Sequence, residues 1–197
     1  MKYLGFDVSS SVIGWNFFET KNGIIQIKSI EYGHIVPPKC ENEEIKSLVD
    51  LNKQIESIFK KYKRGKRDLT ISIEEFPFFI SKGSGFGSTA RTITKLAIYT
   101  RITATKLYSM FEIEPIFYPV TTIRATIRKI TGRKEVKKED IPNSVEQIII
   151  TNSKKEWDFP YLINKNGKIK KESFDIGDSF AVSITHAYKI NDLNKGD

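Results

Sequence analysis

The chain predicts an α/β fold built on a mixed five-stranded sheet, an antiparallel three-strand meander continued by parallel strands and flanked by helices. Three observations lead there. From Lys2 to Ile35, β-rich runs alternate with short turns; beyond Glu43, helical-period segments alternate with short strands; and 39% hydrophobic residues in 197 supply one sizeable core.

The opening reads as a strand over 2–8, a Ser9-Ser10-Ser11 turn and a strand over 12–18, which so short a connection makes an antiparallel hairpin. Asn22-Gly23 turns the chain again. Ile24, Ile25, Ile27 and Ile30 then predict a third strand running to Ile35, stopped by Pro37-Pro38. Ile45, Leu48, Val49, Leu51, Ile55, Ile58 and Phe59 follow helical spacing over 43–62, and the basic run KKYKRGKR closes that helix. A strand over 69–75 ends in two glutamates. After a Gly/Ser-rich loop at 81–88 comes a long helix over 89–111, a short strand at 116–118, helices over 121–130 and 141–150, and a last helix over 175–190. Residues 152–171 read as an irregular insertion or hairpin within a single domain spanning 1–197. In such an order the first strand sits centrally, and sites form where strands end.

Composition narrows the class. The single cysteine, Cys40, permits no intrachain disulfide and leaves a thiolate zinc site without its other sulfurs. The first Asp comes after six residues and no run approaches the ~20 apolar residues of a membrane span, so neither signal peptide nor membrane association is expected, and a cytoplasmic location is. A formal net charge of +8 favours a polyanionic partner.

The chemistry rests on acids. Asp7 ends the first strand among apolar neighbours, where a charge is costly without a compensating partner. Glu74 and Glu75 end the fourth, and only one of them shares Asp7's side of the sheet; Glu74 is the choice and Glu75 the reserve. Asp175 and Asp178, three apart at the expected start of the last helix, project from nearly one face. Singly, each has a bland role as turn former, surface carboxylate or helix cap. Together they form an all-oxygen set suited to Mg²⁺ or Mn²⁺, and two such ions ~3.5–4 Å apart serve phosphodiester hydrolysis.

Other constellations are weaker. Gly83, Gly85 and Gly87 lack the spacing of a dinucleotide or phosphate loop, His186 lies too far along its helix from Asp178 to share an ion, and His34 and Cys40 have no partners at catalytic spacing.

These residues resemble the RuvC family of Holliday-junction resolvases, of the ribonuclease H-like superfamily. LGFDVSSSVIGW is similar to that family's opening hairpin, ISIEEF to its second catalytic strand, which supports Glu74 over Glu75, and FDIGDSFAVSITHAYK to its final helix with two Asp three apart and a downstream Thr-His pair. YPVTTIRATIRKITGRKE resembles the family's strand, turn and basic segment, where lysines lie near the cleaved phosphate. Ser9-Ser10 stands in place of the usual Pro-Gly, and residues 156–171 have no counterpart. The resemblance implies a homodimeric endonuclease using Mg²⁺, or Mn²⁺ in its place, with two ions per site, that nicks four-way DNA junctions symmetrically. A bacterial, viral or phage source would fit, with a host compartment that holds DNA as the location in the latter cases.

Arg124, Arg128, Arg133, Lys134, Lys137 and Lys138, with Lys129 among them, concentrate positive charge before the last acidic motif, where they are expected to track DNA phosphates. Phe76, Phe78, Phe79 and Lys82 border the glycine-rich loop beside Glu74 and are expected to meet branched DNA, the aromatics by stacking. The long helix from Thr89 is, on the resemblance, the dimerisation element. Rival functions are another nuclease of the same fold acting on RNA/DNA hybrids, flaps or other branched DNA, a two-lobed sugar-kinase or actin-like ATPase, for which the chain is too short, and a catalytically silent DNA binder.

Overall fold

The structure, a computed structural model, describes residues 1–38, 44–75 and 90–193. The Phe-rich loop with Phe76, Phe78, Phe79, Lys82 and its glycines lies outside the described residues, as does Cys40.

Strand β1 (Lys2–Val8) pairs antiparallel with β2 (Ile13–Lys21) and parallel with β5 (Leu69–Glu75), which in turn pairs parallel with β6 (Ile116–Pro119). The first strand is therefore central, as expected. The expected third strand is instead two: β3 (Ile24–Ile25) and β4 (Glu31–Ile35) both pair with β2 and are separated by a 3-10 turn at Ile27–Ser29, so the sheet has six strands. Ser29 explains the break. Its hydroxyl donates to the Gln26 carbonyl at 2.6 Å and accepts the Glu19 N–H at 2.8 Å, replacing a ladder partner with a local one.

Alternation along β1 separates two cores. Leu4, Phe6 and Val8 join Ile71 and Ile73 beneath α1 (Glu44–Phe59) and α2 (Ala90–Phe111). Tyr3 belongs to the other core, with α3 (Val120–Thr131), α4 (Ile141–Ser153) and α5 (Lys171–Lys189). Between α4 and α5 the chain is irregular, with one antiparallel bridge, Ile163 to Ile169, and it is not loose: buried Phe159 and partly buried Trp157 pack edge-on against Phe180 of α5. Among the described residues no helix is long and apolar enough to cross a membrane.

Helix α5 lies on the β1–β2 hairpin through small residues. Ser179 and Ser183 are buried over Gly5, where a Cβ would stand 2.5 Å from the Ser179 carbonyl oxygen. The Ser183 hydroxyl and the Asn16 amide, both buried, satisfy each other at 2.9 Å and 3.1 Å. At Gly14 the approach is closer still, a Cβ meeting the Asp175 carbonyl oxygen at 2.1 Å. Only glycine lets the helix backbone come this near the sheet.

Candidate metal centre

Parallel pairing fixes the first two acids. Phe6 is in register with Ile73, so one residue on, Asp7 and Glu74 stand side by side at the strand ends and face α5 with Gly5 and Ser72. Alternation turns Glu75 to the other face, although it still lines the open cleft of about 160 Å³ at this end of the sheet.

The second pair arrives by way of the glycines. Gly14 is the cross-strand neighbour of Asp7 and carries the Asp175 backbone directly above it. Ligand atoms of Asp7, Asp175 and Asp178 consequently lie within 4.8 Å of one another. Helix α5 begins at Lys171, so the two aspartates occupy its second turn and not its start as the sequence suggested, which removes the reading of Asp175 as an N-cap. Lys170 precedes the helix without a side-chain cap, so nothing in the sequence marked the true boundary.

Electrostatically the site is strained toward cations. Burial, then Glu74, Asp178 and Asp175, push the Asp7 carboxyl well above its ordinary range, with Lys138 acting in opposition. Glu74 is pushed up to about 8 by burial and by Asp178, against the pull of Lys138 and Arg124. Asp178 is pushed up to about 6 by burial, with Lys138 opposing, and Asp175 is raised for the same reason. Lys138 reaches in from the turn before α4, its ammonium 3.2 Å from Asp178 and 3.7 Å from Asp175. That turn is fixed by Asp140, which accepts the Lys137 N–H at 2.9 Å. Among the described residues Lys138 alone is ion-paired with these four acids, and Asp175 Oδ2, buried, has no hydrogen-bond partner there. An orphaned buried oxygen in an all-oxygen ring of excess negative charge fits a hard divalent cation.

The expected basic residues divide. Lys138 and Arg124 act directly on the acids. Arg133 lies 3.9 Å from Asp140, while Arg128, Lys134 and Lys137 are exposed on α3 and the turn that follows. Lys171, unremarked in the sequence because it sat in the apparent insertion, lines the cleft and pulls on Asp175. Gly5 and Gly14 were missed too, since only a tertiary contact reveals them. His186 is buried, its Nδ1 2.9 Å from the Tyr118 hydroxyl.

No family model and no curated protein matches the chain. Solved structures do. RuvC of T. thermophilus in complex with a Holliday junction substrate matches over 97% of this chain and 96% of that one, with 10% identity and a TM-score of 0.65. A second structure of Thermus thermophilus RuvC matches with the same coverage, 97% and 96%, at 14% identity and a TM-score of 0.55. The chain thus has the RuvC-type fold, a ribonuclease H-like mixed sheet flanked by helices.

Proposed function

We propose that this protein is a divalent-metal-dependent endonuclease that resolves four-way DNA junctions by paired, symmetric nicks. The observation that carries the proposal is the convergence of Asp7, Asp175 and Asp178 within 4.8 Å, with Glu74 beside Asp7, at the strand ends of a RuvC-type fold. A protein of that fold was solved with a Holliday junction substrate, which supports this substrate over others.

Asp7, Glu74, Asp175 and Asp178 would hold Mg²⁺ or Mn²⁺, two ions per site. Bound there, such ions supply water activation and stabilisation of the leaving oxygen in phosphodiester hydrolysis. The residues themselves set the stage. The two strand ends and the second turn of α5 hold the carboxylates in place before substrate arrives, Lys138 and Arg124 add positive charge where a phosphate would enter, and Arg128, Arg133, Lys134 and Lys137 continue that charge outward along the DNA. Phe76, Phe78, Phe79 and Lys82, which follow Glu74 in the sequence, are proposed to contact the branched DNA, the aromatics by stacking at its centre. A two-fold homodimer would present two equivalent centres to two equivalent strands.

The same centre serves other nucleases of this fold, so substrate choice needs measurement. Four-way junction, flap, RNA/DNA hybrid and linear duplex offered side by side with Mg²⁺ or Mn²⁺ should give fastest cleavage, at symmetric positions, on the junction. Fastest cleavage of the hybrid would reassign the activity to a ribonuclease H. Light scattering should report a dimer.

A further inference from the structure

The run KKYKRGKR, at the end of the sheet remote from the carboxylates, plays no part in the activity proposed above. It forms a 3-10 helix, Lys60–Gly65, followed by Lys66 and Arg67, and it places six cations on eight residues. Such density usually marks a solvated, mobile tail. Here it is anchored. Tyr62 stacks on Phe17 with ring centroids 4.6 Å apart and on Phe59 at 6.2 Å, while Lys2 Nζ donates to the Gly65 carbonyl at 2.8 Å and the Leu69 N–H donates to the Lys66 carbonyl at 3.1 Å. A 3-10 helix also eclipses side chains three apart, which lines Lys60 up with Lys63 and Lys61 with Arg64.

The nearby acids are largely committed. Glu31 pairs with Lys61, Glu112 with Lys66 at 2.7 Å, and Glu56 with Lys106 at 2.5 Å. Lys60, Lys63, Arg64 and Arg67 are exposed and make no ion pair among the described residues. Lys60 and Lys63 feel Glu56, and Lys63 feels Glu112 as well, but those carboxylates are already paired with Lys106 and Lys66, so positive charge remains in excess on this anchored turn and a polyanion would relieve the mutual repulsion.

Position decides which DNA is met. Lys2 tethers this turn from the start of β1, and Asp7 is five residues further along the strand, roughly 17 Å at ~3.3 Å per residue. The turn follows α1 on the α1/α2 face, whereas the carboxylates face α5. Opposite ends and opposite faces prevent one straight duplex from lying on both.

We propose that Lys60, Lys63, Arg64 and Arg67 form a second, non-catalytic surface that grips the phosphate backbone of a duplex DNA segment other than the one being cut. It reads no sequence, since only cations are offered. The partner class rests on the DNA substrate proposed above, but the test does not require cleavage.

The variant with Lys60, Lys63, Arg64 and Arg67 all replaced by Ala is compared with the unaltered protein, and a Gln set serves as a second variant should the Ala set melt early. Linear duplex affinity is measured against salt, and the log–log slope should fall by about 0.9 for each phosphate that the variant no longer neutralises. Protein saturated with surface-tethered four-way junction should retain added linear duplex, and the variant should not. Cleavage of saturating junction should be unchanged. A reduced slope in a protein that cuts no DNA would support this surface while removing the nuclease assignment. Unchanged slope and retention would overturn the proposal, as would a slower cut at saturation, which would place these cations on the substrate path.

Discussion

Replacing Gly14 with alanine tests how the centre is assembled, because that position has no role except to let α5 approach. The added Cβ would stand 2.1 Å from the Asp175 carbonyl oxygen and 2.4 Å from its carbonyl carbon, against 3.4 Å for an ordinary contact, so the helix must retreat by roughly 1.3 Å. Both partners are backbone, and no flexible side chain can absorb the clash. Overpacking costs about 1–3 kcal/mol, and a backbone collision belongs at the upper end. For a chain of this size that corresponds to a fall in melting temperature of about 6–12 °C. The functional effect is larger than the stability effect. Asp175 and Asp178 ride on the displaced segment, while Asp7 stays on the strand, and a shift of about 1 Å in a reacting constellation costs on the order of a hundredfold in rate. The assay pairs thermal unfolding with single-turnover junction cleavage at a temperature where the variant is folded. Gly5→Ala, which meets Ser179 and Asn16 one turn further along α5, should cost comparable stability with a smaller effect on rate. If Gly14→Ala melts and cleaves as the unaltered protein does, the glycine-seated helix is not what holds the acids together.

Asp178→Asn and Asp175→Asn should each abolish most cleavage while raising the melting temperature of metal-free protein at neutral pH, because each removes a charge from a mutually repelling set; Glu74→Gln should abolish cleavage as well but leave the melting temperature at neutral pH nearly unchanged, since its carboxyl is pushed up to about 8, and Glu75→Gln should cost less cleavage. Stability should also depend on pH. Glu74 and Asp178 have folded-state values of about 8 and about 6, above their ordinary 4.5 and 3.8, so the folded state binds protons more tightly. Their favourable contribution is complete below the ordinary values and is lost as pH rises through about 6 and then about 8. Metal-free protein in chelator should therefore melt progressively lower from acid toward pH 8, and saturating Mn²⁺ should flatten the trend; a flat profile in chelator would show that the acids are not crowded. Lys138→Met should destabilise metal-free protein by about 1 kcal/mol, a figure discounted because the side chain is half exposed, and saturating Mn²⁺ should restore most of the loss. Equal destabilisation with and without the ion would show that Lys138 does not offset the charge of the acids.

Strands β1 and β5 were legible because Leu4, Phe6 and Val8 in one and Leu69, Ile71 and Ile73 in the other recur at every second position, and each carries a carboxylate near its end. The third strand was not, because Ile24, Ile25, Ile27 and Ile30 mimic a continuous run while the Ser29 hydroxyl substitutes for the ladder. At the site, Asp7 and Glu74 followed from their strand ends, and Asp175 with Asp178 from a spacing of three. The start of α5 could not be placed, since an uncapped helix following a Lys-rich stretch gives no local signal. Asp175 then looked like the cap. The position of Lys138 inside the acidic ring was equally hidden, because in sequence it is one cation in a run and only the Asp140-fixed turn aims it.

The central claim is that these carboxylates cut DNA with a divalent ion, and the most direct measurement is single-turnover cleavage of a four-way junction across a Mg²⁺ titration by the unaltered protein and by Asp7→Asn. Symmetric nicks with saturable metal dependence are expected from the first. Loss of cleavage with junction binding retained is expected from the second. Near-normal cleavage by Asp7→Asn, or cleavage by the unaltered protein that persists in chelator, would contradict it.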